Sequence, residues 1–204
     1  MTPQVMERIA RDFDAVLPPQ GGMTPDQVMA ALVETQAPGL LFNGGTPFTP
    51  DYVARLPGTL KIAATCSVGF DHVNLAAIRD KGLTVSNTPE VLDASVADFA
   101  FLLLLAASRR LYEYDATVRD GWTRYFGVPE FLGTDVAGKT LAIVGMGRIG
   151  QAVARRARAF DMKVVYHNRK RLPEAEEQGA TYHASLEEML PQAHYLSLHA
   201  PLTP

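Results

Sequence analysis

The sequence has one cysteine and little net charge, and each shortage excludes a class of protein. A single cysteine, Cys66, cannot form an internal disulfide, which excludes a disulfide-stapled secreted scaffold and favours a reducing compartment such as the cytoplasm. We expect the Cys66 thiol to be packed in the interior rather than to act as a nucleophile. The formal charge of −3 over 204 residues gives no basic stripe that would bind nucleic acid.

Long hydrophobic runs are also missing. The longest apolar run, residues 99–107, is about half of the roughly 20 residues that a transmembrane helix needs. The N-terminus carries Glu7 and lacks the apolar segment of a signal peptide. What the sequence does have is 47% apolar residues, enough for the packed core of one large domain or two small ones.

The stretch from 140 to 171 points to a chemistry. Four apolar residues, 141–144, are typical of a buried strand, and they are followed by Gly145-Met-Gly147-Arg-Ile-Gly150 and by a helical pattern to about 160. In a dinucleotide-binding unit the first glycine permits a tight turn, the second admits the pyrophosphate, and the third allows close packing of helix on strand. A second strand over 162–166 completes a unit of about 30 residues, which favours this interpretation over a strand-turn-helix that binds nothing.

The end of that second strand indicates which coenzyme is bound. An NAD site usually offers an acidic side chain for the ribose 2′-OH, whereas an NADP site offers cations for the 2′-phosphate. This sequence has Asn168, Arg169 and Lys170 there, followed by Arg171. The residues therefore favour NADPH, with a solvated basic turn as the alternative.

Before this unit, helix and strand signals alternate, as in a parallel α/β sheet. Helices are expected over 4–13 and 75–81. Two more are expected to begin at Thr-Pro pairs, one at 24–25 that carries 28–33 into the core and one at 49–50 that ends at about 56. Strands are expected over 15–17, 39–42, 60–65 and 84–86. A long helical region is expected over 91–120. Because it is nearly continuously apolar through Leu105, we expect it to be buried on most sides and to serve as a hinge or a subunit contact. Near the C-terminus a capping box at Ser185 predicts a helix that ends before Pro191, and 195–198 predicts a last strand.

A polar segment follows the strand over 60–65, where open α/β sheets place ligands. The backbone N–H groups of Val68 and Gly69 could form a small nest for a carboxylate, with an ordinary glycine turn as the alternative. His72 stands beside Asp71, and we expect the two to form a structural hydrogen-bonding pair rather than a catalytic one.

Six motifs in this order make the chain resemble the D-isomer-specific 2-hydroxyacid dehydrogenases, and within them the glyoxylate/hydroxypyruvate reductases. They are Ser67-Val-Gly-Phe-Asp-His72, Asn87-Thr-Pro89, Val96-Ala-Asp98, the loop from Gly145 to Gly150, Tyr166-His-Asn-Arg169 and His199-Ala-Pro-Leu-Thr203. The resemblance implies an α/β fold with a flavodoxin-like substrate domain, 1–95, and an incomplete Rossmann-type, doubly wound dinucleotide-binding domain, 96–204. The region 91–120 would be the hinge and dimer helix.

The resemblance also implies roles for individual residues. The Val68 and Gly69 N–H groups would hold the substrate carboxylate. The residues that would hold the coenzyme are Gly145, Gly147, Arg148, Ile149, Gly150, Asn168, Arg169, Lys170, His199, Ala200 and Pro201. Among these, His199 to Pro201 would line the adenosine side, so His199 is expected to be a pocket wall rather than an acid or base.

In the family, an arginine, a glutamate and a histidine carry out catalysis, and all three lie downstream of the motif that begins at His199. The sequence ends inside that motif, and it lacks the apolar strand with which family members begin. We therefore expect a chain truncated at both ends, part of a longer enzyme, and we assign no catalytic residue and no metal ligand in it.

The leading hypothesis is a cytoplasmic, homodimeric oxidoreductase that reduces a small 2-oxo acid to the D-2-hydroxy acid by hydride transfer from NADPH. NAD stays open as coenzyme, and so does a bulkier substrate. No nucleic-acid or membrane partner is expected. Two alternatives of another kind remain, a non-catalytic dinucleotide-binding module and an inactive fragment.

Overall fold

The computed structural model describes residues 2–127 and 130–201. The chain separates into two compact units, Met1–Pro89 and Glu90–Pro204. Their correspondence to the expected substrate-binding and coenzyme-binding domains stays a prediction.

The first unit contains a three-stranded parallel sheet in the order β1-β2-β3. Its strands are β1 (Gly39–Phe42), β2 (Ile62–Thr65) and β3 (Thr84–Ser86). Its helices are α1 (Pro3–Asp12), α2 (Pro25–Thr35), α3 (Pro50–Arg55) and α4 (Leu75–Lys81). The alternation of helices and parallel strands that the sequence indicated is confirmed.

The Thr-Pro pairs start helices as expected. At α2, the Thr24 hydroxyl accepts the Gln27 N–H at 3.3 Å, and the Thr24 N–H donates to Gln27 Oε1 at 2.8 Å. At α3, Thr49 accepts the Tyr52 N–H at 3.2 Å. These side chains satisfy N–H groups that have no partner within the helix, while proline occupies the first turn, where its missing N–H costs nothing.

The strand expected over 15–17 does not form. Val16 and Leu17 are exposed, at 63% and 45% of their full area, and the chain there has no regular structure. Two prolines, Pro18 and Pro19, follow at once and lack the N–H groups that a sheet ladder needs. The short apolar run is therefore a connecting segment.

The second unit contains a four-stranded parallel sheet in the order β6-β5-β4-β7. Its strands are β4 (Thr140–Val144), β5 (Lys163–His167), β6 (Thr181–Tyr182) and β7 (Tyr195–Leu198). Its helices are α5 (Asp93–Ser108), α6 (Leu111–Arg119), α7 (Arg148–Ala159), α8 (Glu174–Glu177) and α9 (Leu186–Met189), with a 3₁₀ turn at Leu190–Gln192. The strand order is that of a doubly wound sheet, with its reversal between β4 and β7.

The continuous buried helix expected over 91–120 is wrong in two respects. The region is two helices, separated at Arg109–Arg110, where Arg110 has a positive φ of 53°. One face of α5 is buried through Ala97 and Phe101 in the cluster that includes α7, but other apolar side chains of α5 lie in contact with solvent, and Phe99 is 60% exposed. Within the described ranges, no helix combines the length and apolarity needed to cross a bilayer.

Candidate functional site

The glycine turn after β4 is shaped by contact with the chain that follows β7. Gly145 has a φ of 92°, which disfavours any side chain. A Cβ atom at 145 would also lie 2.5 Å from the Ala200 nitrogen and 2.6 Å from the His199 carbonyl carbon. A Cβ atom at Gly150 would clash with the Gly145 oxygen and would lie 3.3 Å from Ile143. Both glycines are therefore required by close backbone packing at the reversal of the strand order.

Gly147 differs, because space is open around it. A Cβ atom there would have no heavy atom within 4 Å. Gly147 caps α7, whose first hydrogen bond runs from the Gln151 N–H to the Gly147 oxygen at 2.8 Å. The N–H groups of Arg148, Ile149 and Gly150 precede that bond and are oriented toward the helix start. An open approach to a row of N–H donors fits the diphosphate of a dinucleotide.

Asn168 ties the end of β5 to the glycine loop. Its Oδ1 accepts the backbone N–H of Met146 at 2.7 Å, and the Met146 side chain is buried. The Gly145 N–H in turn donates to the His167 oxygen at 3.1 Å. The expected pyrophosphate and ribose residues are thus brought together at one edge of the sheet.

The cations after Asn168 divide into two kinds. Arg169 and Lys170 are exposed, and neither has an ion-pair partner among the described residues. Arg171 instead donates two hydrogen bonds to Glu177, from Nε at 2.8 Å and from Nη2 at 2.9 Å. Arg171 therefore braces the turn, while the other two cations remain available to a ligand.

Tyr166, which is fully buried, also donates to the Glu177 carboxylate that Arg171 binds. Its hydroxyl donates to Glu177 Oε1 at 2.6 Å and accepts the Leu172 N–H at 3.0 Å. The hydrogen bonds from Arg171 and Tyr166 lower the pKa of the Glu177 carboxyl to about 2. Burial and the bond to Glu177 raise the pKa of Tyr166 to about 12, so the phenol stays neutral.

The side chain of Arg148 lies against the start of α5. Its Nε donates to Asp93 Oδ2 at 3.1 Å, and Nη1 lies 3.6 Å from Glu90 Oε1. The family resemblance implied a role at the pyrophosphate for this residue. The structure places its backbone N–H at the helix start and engages its guanidinium with acidic side chains.

His199 begins the segment that closes the glycine turn. Its N–H donates to the Val144 oxygen at 2.8 Å, and its Nε2 lies 2.8 Å from Ser197 Oγ. Partial burial lowers the pKa of the imidazole below its usual value, which favours the neutral ring. Ala200 and Pro201 are exposed, and the end of the motif, residues 202–203, lies outside the described residues.

The carboxylate nest proposed in the first unit has a defined scaffold. Ser67 Oγ donates to the Gly69 oxygen at 2.7 Å, and Asn87 Nδ2 donates to the Val68 oxygen at 2.9 Å. The Ser67 hydroxyl is itself 2.7 Å from Thr65 Oγ1. With both carbonyls held, the N–H groups of Val68 and Gly69 have no acceptor in the part of the chain that the structure describes. Such a pair of donors suits a carboxylate.

Two expectations about neighbouring residues are wrong. Cys66 is exposed rather than packed in the interior, because it lies just past the buried end of β2. His72 makes no hydrogen bond to Asp71 within the described residues; its ring packs edge-on against Phe42 at 5.8 Å, and its Nε2 is buried without a partner. In the same residues, no cluster of three or more His, Cys, Asp or Glu side chains could hold a metal ion.

The roles of several residues that shape the site were not predicted from the sequence. They are Met146, Tyr166, Leu172 and Glu177 around the basic turn, and Asp93 beside Arg148. Glu177 follows Arg171 across a proline, so no helical spacing links the two. The available signal was a carboxylate close in sequence to a run of cations.

Comparisons with known proteins agree with this geometry. Residues 101–204 match the family described as D-isomer specific 2-hydroxyacid dehydrogenase, NAD binding domain. The glyoxylate reductase of Thermococcus litoralis is 47% identical over 148 residues, which cover 71% of this chain and 45% of that protein. The chain thus spans less than half the length of this curated relative.

Solved structures resemble most or all of the chain. A glyoxylate reductase from Paecilomyes thermophila superposes with a TM-score of 0.78 at 34% identity, covering 88% of this chain and 56% of that one. An acyclic imino acid reductase in complex with NADPH and D-Arg superposes with a TM-score of 0.80 at 25% identity, covering 100% of this chain and 62% of that one.

Proposed function

Because the chain belongs to the D-isomer-specific 2-hydroxyacid dehydrogenase family, we propose that it is part of an NADPH-dependent reductase of small 2-oxo acids, of the glyoxylate/hydroxypyruvate type. The observation that carries the proposal is the glycine turn. It is closed by His199 and Ala200 and open at Gly147. It is followed at the end of β5 by two cations that have no ion-pair partner among the described residues. The product would be the D-2-hydroxy acid.

In this proposal the second unit holds the coenzyme. The N–H groups at the start of α7 would bind the diphosphate, and the segment from His199 to Pro201 would line the adenosine side. When bound, the nicotinamide supplies the hydride that reduces the carbonyl carbon of the 2-oxo acid. The residues of this chain bind and orient the reactants.

The preference for NADPH rests on charge. The turn after β5 offers Arg169 and Lys170, with Asn168 in the place where NAD-binding proteins usually have a carboxylate. A charge-assisted hydrogen bond contributes about 1.5–3 kcal/mol, so one good contact to the 2′-phosphate would favour NADPH by roughly ten- to a hundredfold. An imino acid reductase of similar fold was solved with NADPH bound.

The first unit would bind the substrate. The N–H groups of Val68 and Gly69, whose carbonyls are held by Asn87 and Ser67, would donate hydrogen bonds to the carboxylate that all 2-oxo acids share. The named glyoxylate reductases among the relatives support a small substrate.

We further propose a cytoplasmic homodimer. A single cysteine supports a reducing compartment. The support for the dimer is the exposed apolar face of α5, where Phe99, Leu102 and Leu103 are 60%, 53% and 53% exposed. Contiguous apolar surface of this kind is typical of a subunit interface.

Steady-state assays of the full-length gene product test the proposal. Glyoxylate, hydroxypyruvate and pyruvate are each assayed with NADPH and with NADH, and chiral chromatography identifies the enantiomer formed from hydroxypyruvate and pyruvate. We expect turnover of glyoxylate or hydroxypyruvate with a kcat/KM at least tenfold higher for NADPH. Coenzyme binding without turnover of any 2-oxo acid would instead indicate a binding module, and equal efficiency with NADH would contradict the 2′-phosphate site.

A further inference from the structure

Among the described residues, only carboxylates bind the Arg148 guanidinium. Its Nε donates to Asp93 Oδ2 at 3.1 Å, and its Nη1 lies 3.6 Å from Glu90 Oε1, within ion-pair range. The Asp93 side chain is 18% exposed, so water and salt screen this contact less than they screen an open surface pair. Two of the three guanidinium nitrogens therefore face acidic side chains near the start of α5.

A second arginine of α7 makes a different contact with α5. Arg156 Nε donates to Asp98 Oδ1 at 2.7 Å, but its other two nitrogens donate to backbone oxygens, Nη1 to Ala152 at 2.8 Å and Nη2 to Ala94 at 3.2 Å. Backbone acceptors are fixed by the helices, so this guanidinium stays in place. Side-chain carboxylates can turn away, so the Arg148 contact can break while the Arg156 contacts keep α5 and α7 together.

The Arg148 side chain also begins beside the proposed diphosphate site. Arg148 is the first residue of α7, and its backbone N–H is one of the donors proposed to bind the diphosphate. A change of rotamer would carry the guanidinium from the carboxylates to the phosphates. A guanidinium binds carboxylate and phosphate with the same N–H donors. The two kinds of anion therefore compete for one cation.

We propose that Asp93 and Glu90 form an autoinhibitory latch, which holds the Arg148 guanidinium off the diphosphate site until the coenzyme releases it. This inference rests on the proposed coenzyme site at the start of α7. In the free protein the carboxylates neutralise Arg148, and in the complex the diphosphate takes their place. The coenzyme must break the latch in order to bind, so its affinity is lower than the phosphate contacts alone would give.

Three variants of the full-length gene product test the latch. Asp93→Asn keeps the shape of the side chain and removes its charge, and Arg148→Gln removes the guanidinium. Asp98→Asn makes the same change as Asp93→Asn in a second acidic partner that α5 offers to an arginine of α7, so it controls for the loss of one negative charge from the helix. Each protein is titrated with NADPH, with NADH and with ADP, which carries the diphosphate without the nicotinamide or the 2′-phosphate.

We expect Asp93→Asn to lower all three dissociation constants by about two- to fivefold, the effect of one partly exposed ion pair that no longer has to be broken. Arg148→Gln should raise them at least about fivefold, because the released guanidinium contacts the diphosphate in the complex. Asp98→Asn should change none of them by more than about 1.5-fold. A crystal structure of the wild-type protein with NADPH should show the Arg148 guanidinium on the diphosphate and outside ion-pair range of Asp93.

The outcomes distinguish this inference from the function on which it rests. A wild-type protein that binds none of the three ligands would overturn both. A similar gain for all three ligands in Asp93→Asn would support the latch even if NADPH and NADH bind equally, a result that would contradict only the proposed coenzyme preference. Unchanged or weaker binding in Asp93→Asn, the same gain in Asp98→Asn, or an Arg148–Asp93 pair kept in the complex would overturn the latch alone. If Asp93→Asn fails to fold, the crystal structure of the wild-type complex still decides.

Discussion

Gly145 and Gly147 are two residues apart in one loop, yet different forces constrain them. Gly145 combines a positive φ with backbone atoms of His199 and Ala200 against its Cα. Gly147 has a φ of −79°, which any residue can adopt, and open space where a side chain would be. The first glycine is required by the fold, and the second is required only if a ligand occupies that space.

Alanine at each position should therefore have a different effect. Gly145→Ala should destabilise the second unit by about 2–3 kcal/mol, the cost of a strained backbone position with a clash. Gly147→Ala should change the free energy of unfolding by less than about 0.5 kcal/mol, while its affinity for NADPH falls at least tenfold. Urea unfolding followed by fluorescence of Trp122, the only tryptophan, and NADPH titration measure the two effects. Wild-type affinity in Gly147→Ala would show that the diphosphate does not approach this residue.

The Glu177 carboxyl gives the second unit a defined dependence on pH. Its pKa is lowered to about 2 in the folded state, against roughly 4.3 for an unfolded chain. Between these values the unfolded state binds more protons, so the stabilisation is present above pH of about 4.3 and is lost as the pH falls toward 2. Melting temperatures between pH 6 and pH 2.5 should therefore fall less steeply in Glu177→Gln than in the wild type, although that variant starts lower. Glu176→Gln, an exposed neighbour on α8, should follow the wild-type slope.

Site residues that belong to a local sequence motif could be predicted from the sequence. Site residues whose role comes from a hydrogen bond to a distant residue could not. The glycines and the cations Arg169 and Lys170 stand in recognisable positions relative to two strands. The bond from Met146 to Asn168 joins residues 22 apart, and the hydrogen bond between Tyr166 and Glu177 spans 11. Sequence spacing does not encode such pairings, because they arise only when the sheet and the loops come together.

At the scale of elements, the caps of the helices give the clearest test. Thr24 makes a reciprocal capping box with Gln27 at the start of α2. Thr2 is also followed by proline at the start of a helix, α1, but its side chain makes no hydrogen bond to that helix. Thr24→Ala should cost about 1 kcal/mol of stability in the first unit, and Thr2→Ala should cost almost nothing. Hydrogen exchange of the α2 amides measures the difference. Equal exchange in both variants would show that the cap does not stabilise α2.

The elements that sequence reasoning missed are short or broken. α8 has four residues and β6 has two, fewer than a periodic pattern needs to be recognised. The break between α5 and α6 was missed because the left-handed residue there is Arg110 rather than glycine. In contrast, β4, α7 and β5 combine apolar strands with glycine punctuation, and their order was predicted correctly.

At the scale of the whole molecule, the sequence predicted a parallel α/β fold but misjudged which surfaces are covered. A nearly continuous apolar helix was expected to be buried, since burial is the usual fate of such a pattern. Burial depends on which other elements are present, and α5 packs only one face against its own unit. A second copy of the chain is the partner that the proposed homodimer would place on the other face.

Charge on this face should therefore dissociate the proposed dimer. Phe99 and Leu103 are one helical turn apart and both exposed, so Phe99→Glu combined with Leu103→Glu would place two like charges in each half of the interface. We expect sedimentation velocity at tens of micromolar to show a dimer for the wild type and a monomer for this variant, with coenzyme binding retained. Val33→Glu makes the same kind of change on α2, where the side chain is 53% exposed, and should remain dimeric. A monomeric wild type, or a dimeric double variant, would show that α5 is not the interface.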